Sequence, residues 1–301
     1  MPSALIALEP VEGVEVHAAP VAGVVWDRGT LLRLADGVVT WSLPLDVSPR
    51  LMAFGRRLYV AFDDLLACLD LRTGSRVWMV KTGGPIAAMA AHAKGVDVLV
   101  GAVLLGFDGA GAAGPVLRLP AACGFLTHGR LGVYVGGTEG VWRVNARTAR
   151  VSVLPCAALY TRDEGVQALV DGGEGTLLVE DEGLPLVWSF PERARHLLAP
   201  YGRSDWAVAP RGGRGGVWIV DRRVHTRWHV PLPGVARALA VVGSAVAVLV
   251  DDGDAALALT HRDVSSPLLL AASGAEGLHA EGDLIYLTFK ERTALFRVRE
   301  A

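Results

Sequence analysis

The feature that most limits the fold of this chain is a turn glycine that returns eight times at a nearly constant interval. Successive copies are 32 to 41 residues apart along the 301-residue chain. Each copy lies between two short hydrophobic runs, and the eight are Gly23, Gly55, Gly95, Gly129, Gly165, Gly202, Gly243 and Gly282. A period in this range indicates one supersecondary unit copied throughout a repeat architecture.

The second repeat shows the unit most clearly, as four short strands separated by turns. The predicted strands are residues 50–55, 58–62, 65–71 and 76–80. Strands of about five residues joined by Gly, Asp and Thr turns are typical of short antiparallel hairpins. The last repeat copies this pattern, since residues 279–289 align without gaps on residues 52–62. Many of the strands are apolar throughout, which predicts burial on both faces.

These repeats predict an all-β fold, an eight-bladed β-propeller with four antiparallel strands per blade in a single domain over residues 1–301. The last repeat supplies only three strands, whereas residues 3–9 form a strand that precedes the first repeat. We expect this N-terminal strand to complete the last blade and close the ring, because closure removes exposed sheet edges. A seven-bladed propeller with repeats of about 43 residues is the alternative. No segment shows a sustained 3.6-residue period, so no substantial helix is predicted.

The composition favours a large buried core and no nucleic-acid or membrane partner. Hydrophobic residues make up 51% of the chain, charged residues 20%, and the net charge is −2. These values exclude a disordered chain and a strongly basic nucleic-acid binder. The N-terminus lacks the pattern of a signal peptide, and no apolar run is long enough to span a bilayer. Three widely spaced cysteines without metal or redox spacing then favour a cytoplasmic protein, and the scarcity of lysine suggests a bacterial source.

The segment CLDLRTGSRVW, residues 68–78, carries a recognisable pattern of Leu-Asp, a Thr-Gly turn and a Trp. It resembles the repeat of pyrroloquinoline-quinone-like propellers, and Trp41, Trp188 and Trp228 occupy the corresponding place in other repeats. Similar propellers occur in quinoprotein dehydrogenases and in the outer-membrane assembly lipoprotein B; WD40-like propellers share the layout. The resemblance implies a fold in which large Trp side chains pack between blades. The chain lacks the adjacent Cys pair that many quinoprotein dehydrogenases carry near their cofactor, so we expect no cofactor. It also lacks the N-terminal lipidated Cys of the assembly lipoprotein, so we do not expect that activity either.

Histidines define the candidate ligand site. Counting three residues before the turn glycine gives His92 and His279, alignment gives His128, and Arg162 takes this position in another repeat. Innermost strands surround the central channel, so we expect these side chains near one channel mouth. Converging imidazoles there bind a metal or an anion, or act as acid and base. The other interpretation is a set of hydrogen-bonded polar residues that line a wet channel.

Charge is distributed unevenly between the fifth and sixth repeats. Residues 161–182 contain seven acidic residues and one arginine, whereas residues 193–229 contain eight arginines and two aspartates. Adjacent patches of opposite sign orient a charged protein partner, or they pair with each other at little net energy. The candidate docking residues are Arg193, Arg195, Arg203, Arg211, Arg214, Arg222, Arg223, Glu180, Asp181 and Glu182.

Two hypotheses for function follow from these patterns. The first is a non-enzymatic scaffold that binds a protein partner in a bacterial multi-protein complex through its loops and charged edge. The second is a lyase or hydrolase, or a ligand-binding propeller, with its site at the channel mouth. The sequence contains no motif for a catalytic serine, a bound phosphate or a zinc-protease helix.

Overall fold

A computed structural model of the chain shows an all-β protein. It describes residues 6–10, 23–27, 29–35, 38–47, 49–145, 148–162, 165–171, 176–180, 188–189, 196–202, 205–210, 214–221, 225–262, 265–289 and 293–300. No helix occurs among these residues, as the sequence predicts. Accordingly, this part of the chain contains no helix that is apolar and long enough to cross a membrane.

The described residues form thirty strands. The first ten are β1 (Ile6–Pro10), β2 (Val24–Asp27), β3 (Thr30–Ala35), β4 (Val38–Pro44), β5 (Arg50–Phe54), β6 (Arg57–Phe62), β7 (Leu65–Asp70), β8 (Arg76–Lys81), β9 (Ile86–His92) and β10 (Gly95–Val100). The next ten are β11 (Val103–Asp108), β12 (Leu117–Arg118), β13 (Phe125–Gly129), β14 (Gly132–Gly137), β15 (Gly140–Val144), β16 (Thr148–Ser152), β17 (Cys156–Arg162), β18 (Gly165–Asp171), β19 (Thr176–Glu180) and β20 (Trp188–Ser189). The last ten are β21 (His196–Tyr201), β22 (Asp205–Pro210), β23 (Arg214–Val220), β24 (Thr226–Val242), β25 (Ala245–Asp251), β26 (Ala255–Thr260), β27 (Leu268–Ala271), β28 (Ala275–Glu281), β29 (Leu284–Phe289) and β30 (Thr293–Glu300).

The chain divides into two compact units. The first unit comprises Met1–Pro44 with Ala194–Ala301, and the second comprises Leu45–Arg193. In the second unit, four antiparallel four-stranded sheets follow one another along the chain: β5–β8, β9–β12, β13–β16 and β17–β20. These are the second to fifth repeats, and each sheet has the predicted strand order.

The first unit contains three sheets built from the remaining repeats. Strands β2–β4 form one sheet, and β21–β27 form a seven-stranded sheet in which the 17-residue β24 runs from the sixth repeat into the seventh. The third sheet has the order β1-β30-β29-β28. The N-terminal strand therefore pairs with the last strand, antiparallel, with Ile6 opposite Glu300. It begins later than the predicted segment 3–9, whose first three residues lie outside the described part of the chain.

Apolar strands are buried on both faces, as their lack of alternation predicts. In β6 the four residues from Leu58 to Ala61 are all buried, and so are the four from Leu66 to Leu69 in β7. The resulting cores lie between successive sheets. One lies between the second and third repeats and includes Tyr59, Met89 and Val96.

The turn that carries the propeller-like motif is held by its aspartate. Asp70 Oδ1 accepts hydrogen bonds from Arg72 N at 3.0 Å and from Thr73 N at 2.9 Å. It also accepts one from the Thr73 hydroxyl at 3.0 Å, and these bonds lower the pKa of the Asp70 carboxyl. Gly74 has a φ of +71°, which a glycine adopts at little cost. The residues that suggest the family therefore act by closing the hairpin between β7 and β8.

Candidate functional site

The three candidate histidines do not share one position in their hairpins. His92 pairs with Gly95 beside the turn, His128 pairs with Val133 one residue earlier, and His279 pairs with Tyr286 two residues earlier. The prediction of a common repeat position is therefore wrong. The reason is that the repeating glycines take different places: Gly95 begins β10 after its turn, whereas Gly282 lies within its turn.

This difference in register brings His92 and His128 together. Successive residues of a strand point to opposite faces, so a shift of one residue directs a side chain to the other face of its sheet. The two histidines belong to β9 and β13 of neighbouring sheets in the second unit. Their rings face each other with centroids 4.3 Å apart and planes inclined at 42°. At equal register positions, both side chains would have projected from the same face of their own sheets, and the two rings would not have faced each other.

Asp97 completes the cluster, although the sequence pattern did not point to it. His92 pairs with Gly95, and Asp97 lies two residues beyond that glycine, so both side chains project from the same face of the sheet. Asp97 Oδ2 lies 2.8 Å from His128 Nε2 and 3.9 Å from His92 Nε2. In the sequence, Asp97 stands out as the single charged residue of the apolar strand GVDVLV. Only a turn placed at residues 93–94 shows that it shares a sheet face with His92.

Backbone and small side chains support the cluster from neighbouring strands. Asp97 pairs across the sheet with Gly106, where a Cβ atom would lie only 2.7 Å from Asp97 Oδ1. The glycine thus leaves the space that the carboxylate occupies. On the other side, the Thr161 hydroxyl donates to the His128 carbonyl oxygen at 2.5 Å, and it also hydrogen bonds with Thr127.

The cluster is half-buried and its His92 ring favours the neutral state. The side chains of His92 and His128 are each 27% exposed and that of Asp97 is 15% exposed. Burial lowers the pKa of the His92 imidazole, the nearby His128 and Lys94 lower it further, and the Asp97 carboxylate opposes them. His92 Nδ1 accepts a hydrogen bond from the Lys94 backbone N–H at 3.3 Å.

The place of the other two predicted ligand residues, Arg162 and His279, stays a prediction. Arg162 ends β17 opposite Gly165, and its side chain lies outside the described part of the structure. His279 belongs to the other unit, where its ring centroid lies 6.3 Å from that of Tyr286.

Most of the predicted docking residues lie outside the described residues. These are Arg193, Arg195, Arg203, Arg211, Arg222, Arg223, Asp181 and Glu182. Arg214 lies on β23 and Glu180 on β19, but only their backbones are described. The charged docking surface therefore stays a prediction.

The three cysteines are buried free thiols with low expected reactivity. Burial raises the pKa of Cys123 to about 11 and that of Cys156 to about 12, and it also raises the pKa of Cys68, which Arg57 opposes. Because the thiolate is the reactive form, the native protein should alkylate slowly with iodoacetamide at pH 8, as followed by intact mass. The protein unfolded in guanidinium should take three labels quickly. Fast labelling of a native cysteine would contradict its burial.

Comparison with known proteins places the fold among β-propellers. No family model and no curated protein matches the chain. Among solved structures, the dihydro-heme d1 dehydrogenase NirN in complex with DHE matches with a TM-score of 0.69 and 14% identity over 95% of this chain and 70% of that chain. BamB from Moraxella catarrhalis matches with a TM-score of 0.67 and 15% identity over 97% of this chain and 98% of that chain. The Pan2 WD40 domain from Neurospora crassa matches with a TM-score of 0.55 and 12% identity, over 83% of this chain and 88% of that chain. The resemblance to pyrroloquinoline-quinone-like propellers is thus confirmed as a likeness of fold.

Proposed function

We propose that the chain is an eight-bladed propeller that acts as a non-enzymatic scaffold for protein–protein interaction in a bacterial multi-protein complex. The sheets support eight blades. The second unit has four, and the first unit has two in the seven-stranded sheet, where β24 takes part in two successive repeats, plus the β2–β4 sheet and the β28–β30 sheet. Pairing of β1 with β30 supports closure of the ring by the N-terminal strand. A propeller fold like those of BamB and the Pan2 WD40 domain is consistent with such a role.

The observation that carries the proposal is the position of the exposed aliphatic side chains. Large exposed hydrophobic residues concentrate on or beside the outermost strands of the sheets: Val39, Val77, Met79, Val116, Leu117, Val153, Leu268 and Leu269. Contiguous exposed aliphatic groups are typical of surfaces that bind partners. Six of these residues lie as neighbouring pairs, at β8, β12 and β27. An edge strand also presents backbone groups that pair with a strand of another chain.

Strand β8 is the clearest example of such an edge. Val77 and Met79 are 50% and 48% exposed, whereas Trp78 between them is buried. The two exposed side chains therefore share the outer face of an edge strand, with Arg76 and Lys81 at its ends. Charged ends limit uncontrolled edge-to-edge association, while the apolar centre offers contact area to a specific partner.

The test is partner binding by a variant altered only on this face. The double substitution Val77→Ser with Met79→Ser should weaken binding of the partner isolated with the wild-type protein by about 10-fold or more, because two apolar contacts are lost. Affinity is measured with purified components by calorimetry. Stability should change little, since both side chains are already exposed.

Leu131→Ser provides the matched control. Leu131 is also an exposed aliphatic residue, 38% exposed, but it lies in the turn between β13 and β14 rather than on an outer strand. The Leu131→Ser variant should bind the partner with wild-type affinity. Equal affinity in the β8 variant and the wild type, or an equal loss in the Leu131 variant, would contradict docking through this strand.

The enzymatic alternative stays a hypothesis. It uses His92, His128 and Arg162 at one site, with His279 as a further candidate. Within the described part of one unit, the structure brings His92 and His128 together.

A further inference from the structure

We propose that His92, Asp97 and His128 bind one divalent first-row transition metal ion of the Zn²⁺ type. Their ligand atoms, two imidazole nitrogens and one carboxylate oxygen, all lie within 4.8 Å of one another. This site is independent of the proposed scaffold function, because it involves neither the outer strands nor a protein partner.

The distances suit an ion held between the three groups. Zn²⁺ binds imidazole nitrogen and carboxylate oxygen at about 2.0–2.2 Å, which places neighbouring ligand atoms about 3–3.5 Å apart. The 2.8 Å from Asp97 Oδ2 to His128 Nε2 is slightly shorter, and the 3.9 Å to His92 Nε2 is slightly longer. Small side-chain rotations therefore reach a ligand geometry without a change of backbone.

The state of His128 Nε2 is the independent indication of a ligand. This nitrogen is buried and has no hydrogen-bond partner among the described residues, although Asp97 Oδ2 lies only 2.8 Å away. The atoms are close, but the N–H direction is not aligned with the oxygen. A buried polar nitrogen without a partner is costly, and an ion on its ring axis removes that cost.

The chemistry of the ligand set selects the class of ion. Imidazole nitrogen favours Zn²⁺ and other transition ions, whereas Mg²⁺ and Ca²⁺ prefer sites made of oxygen. The partial exposure of the three side chains leaves room for water at the remaining coordination positions. Three protein ligands with an open position are typical of sites that bind a further small ligand.

Two supporting features position these ligands. Gly106 leaves space for the second oxygen of Asp97, and the Thr161 hydroxyl holds the backbone of His128. His92 Nδ1 now accepts from the Lys94 N–H, so binding of an ion through Nε2 shifts the ring proton to Nδ1 and releases that N–H. The Lys94 amide is thus an internal reporter of metal binding.

The first experiment is a titration of the purified, metal-free chain with Zn²⁺ by calorimetry. We expect saturable binding of one ion per chain, and Co²⁺ should bind competitively with visible absorption bands. Mg²⁺ should not compete, because the ligand set contains two nitrogens. Absence of Zn²⁺ binding, or displacement of Zn²⁺ by Mg²⁺, would overturn the proposal.

Variants then assign the ion to these residues. Asp97→Asn and His128→Gln should each weaken Zn²⁺ binding at least about 100-fold, since even groups that only orient a ligand change metal affinity by about 10–100-fold. Gly106→Ala should weaken it by about 10-fold by displacing the carboxylate. Circular dichroism of each metal-free variant verifies its fold.

His225→Gln is the matched control, because the cluster does not include this histidine. His225 is exposed and lies near Asp221, with 3.6 Å between its Nδ1 and the carboxylate, so it represents casual surface binding. The control should retain wild-type affinity. Loss of binding in the control, or wild-type affinity in Asp97→Asn and His128→Gln, would contradict the assignment.

A measurement on the wild-type protein keeps the proposal testable if a variant fails to fold. In a ¹H–¹⁵N spectrum, Zn²⁺ should shift the Lys94 amide resonance and the ring resonances of both histidines. An unchanged Lys94 amide at saturating Zn²⁺ would place the ion elsewhere on the protein.

Discussion

Replacement of Trp78 by alanine should lower the free energy of unfolding by about 3–5 kcal/mol, the usual cost of removing a buried Trp. The Trp78 ring is buried, with its centroid 6.0 Å from that of Tyr59 and 6.2 Å from that of Phe107 of the next sheet. Its Nε1 donates to the Gly109 carbonyl oxygen at 3.2 Å. The side chain therefore joins the second and third repeats through both packing and a hydrogen bond.

Val77→Ala is the matched control for this substitution. Val77 is the preceding residue of the same strand but is 50% exposed, so its truncation should change stability by less than about 0.5 kcal/mol. Guanidinium unfolding followed by circular dichroism measures both variants, with a comparison of their m-values. Similar stability of the two variants would show that the Trp does not join the repeats.

Gly95→Ala should have the second large effect, a loss of about 3 kcal/mol in unfolding free energy. A Cβ atom at Gly95 would lie 1.9 Å from the carbonyl oxygen of Phe107 and 2.9 Å from the Cα atom of Asp108. Both contacts are to backbone of the paired strand β11, so a change of rotamer cannot relieve them. The strands must separate, and thermal unfolding followed by circular dichroism should show a lower melting temperature.

Gly55→Ala is the control, because these two glycines looked equivalent in the sequence. Gly55 has a φ of +59°, but nothing lies within 4 Å of the position that a Cβ atom would take there. Only backbone strain is then expected, about 1 kcal/mol. A Gly55 variant less stable than the Gly95 variant would contradict the distinction between a turn glycine and a close-packing glycine.

The repeat period and strand pattern predicted the fold well. Short apolar runs bounded by turn residues determined the strands, because a strand buried on both faces has few other compositions. The motif around Asp70 and Gly74 was recognisable because its turn depends on local hydrogen bonds. The seven-stranded sheet was not foreseen, since β24 continues through residues that a local pattern divides between two repeats.

The candidate site was predicted only in part. His92 and His128 were selected, but for a shared position that they do not have. Asp97 was missed because its importance depends on cross-strand register, and one residue of register decides which face a side chain occupies. The docking arginines were evident as a charge pattern, yet a pattern of charge does not specify a contact.

The sequence by itself determined the repeat, the strands and the closure of local turns, because these depend on interactions between residues close in the chain. The tertiary structure decided which side chains meet. It placed Trp78 against Phe107, and it brought His92, Asp97 and His128 within ligand distance of one another. Those contacts depend on the register and packing of neighbouring sheets, to which residues distant in the sequence contribute jointly.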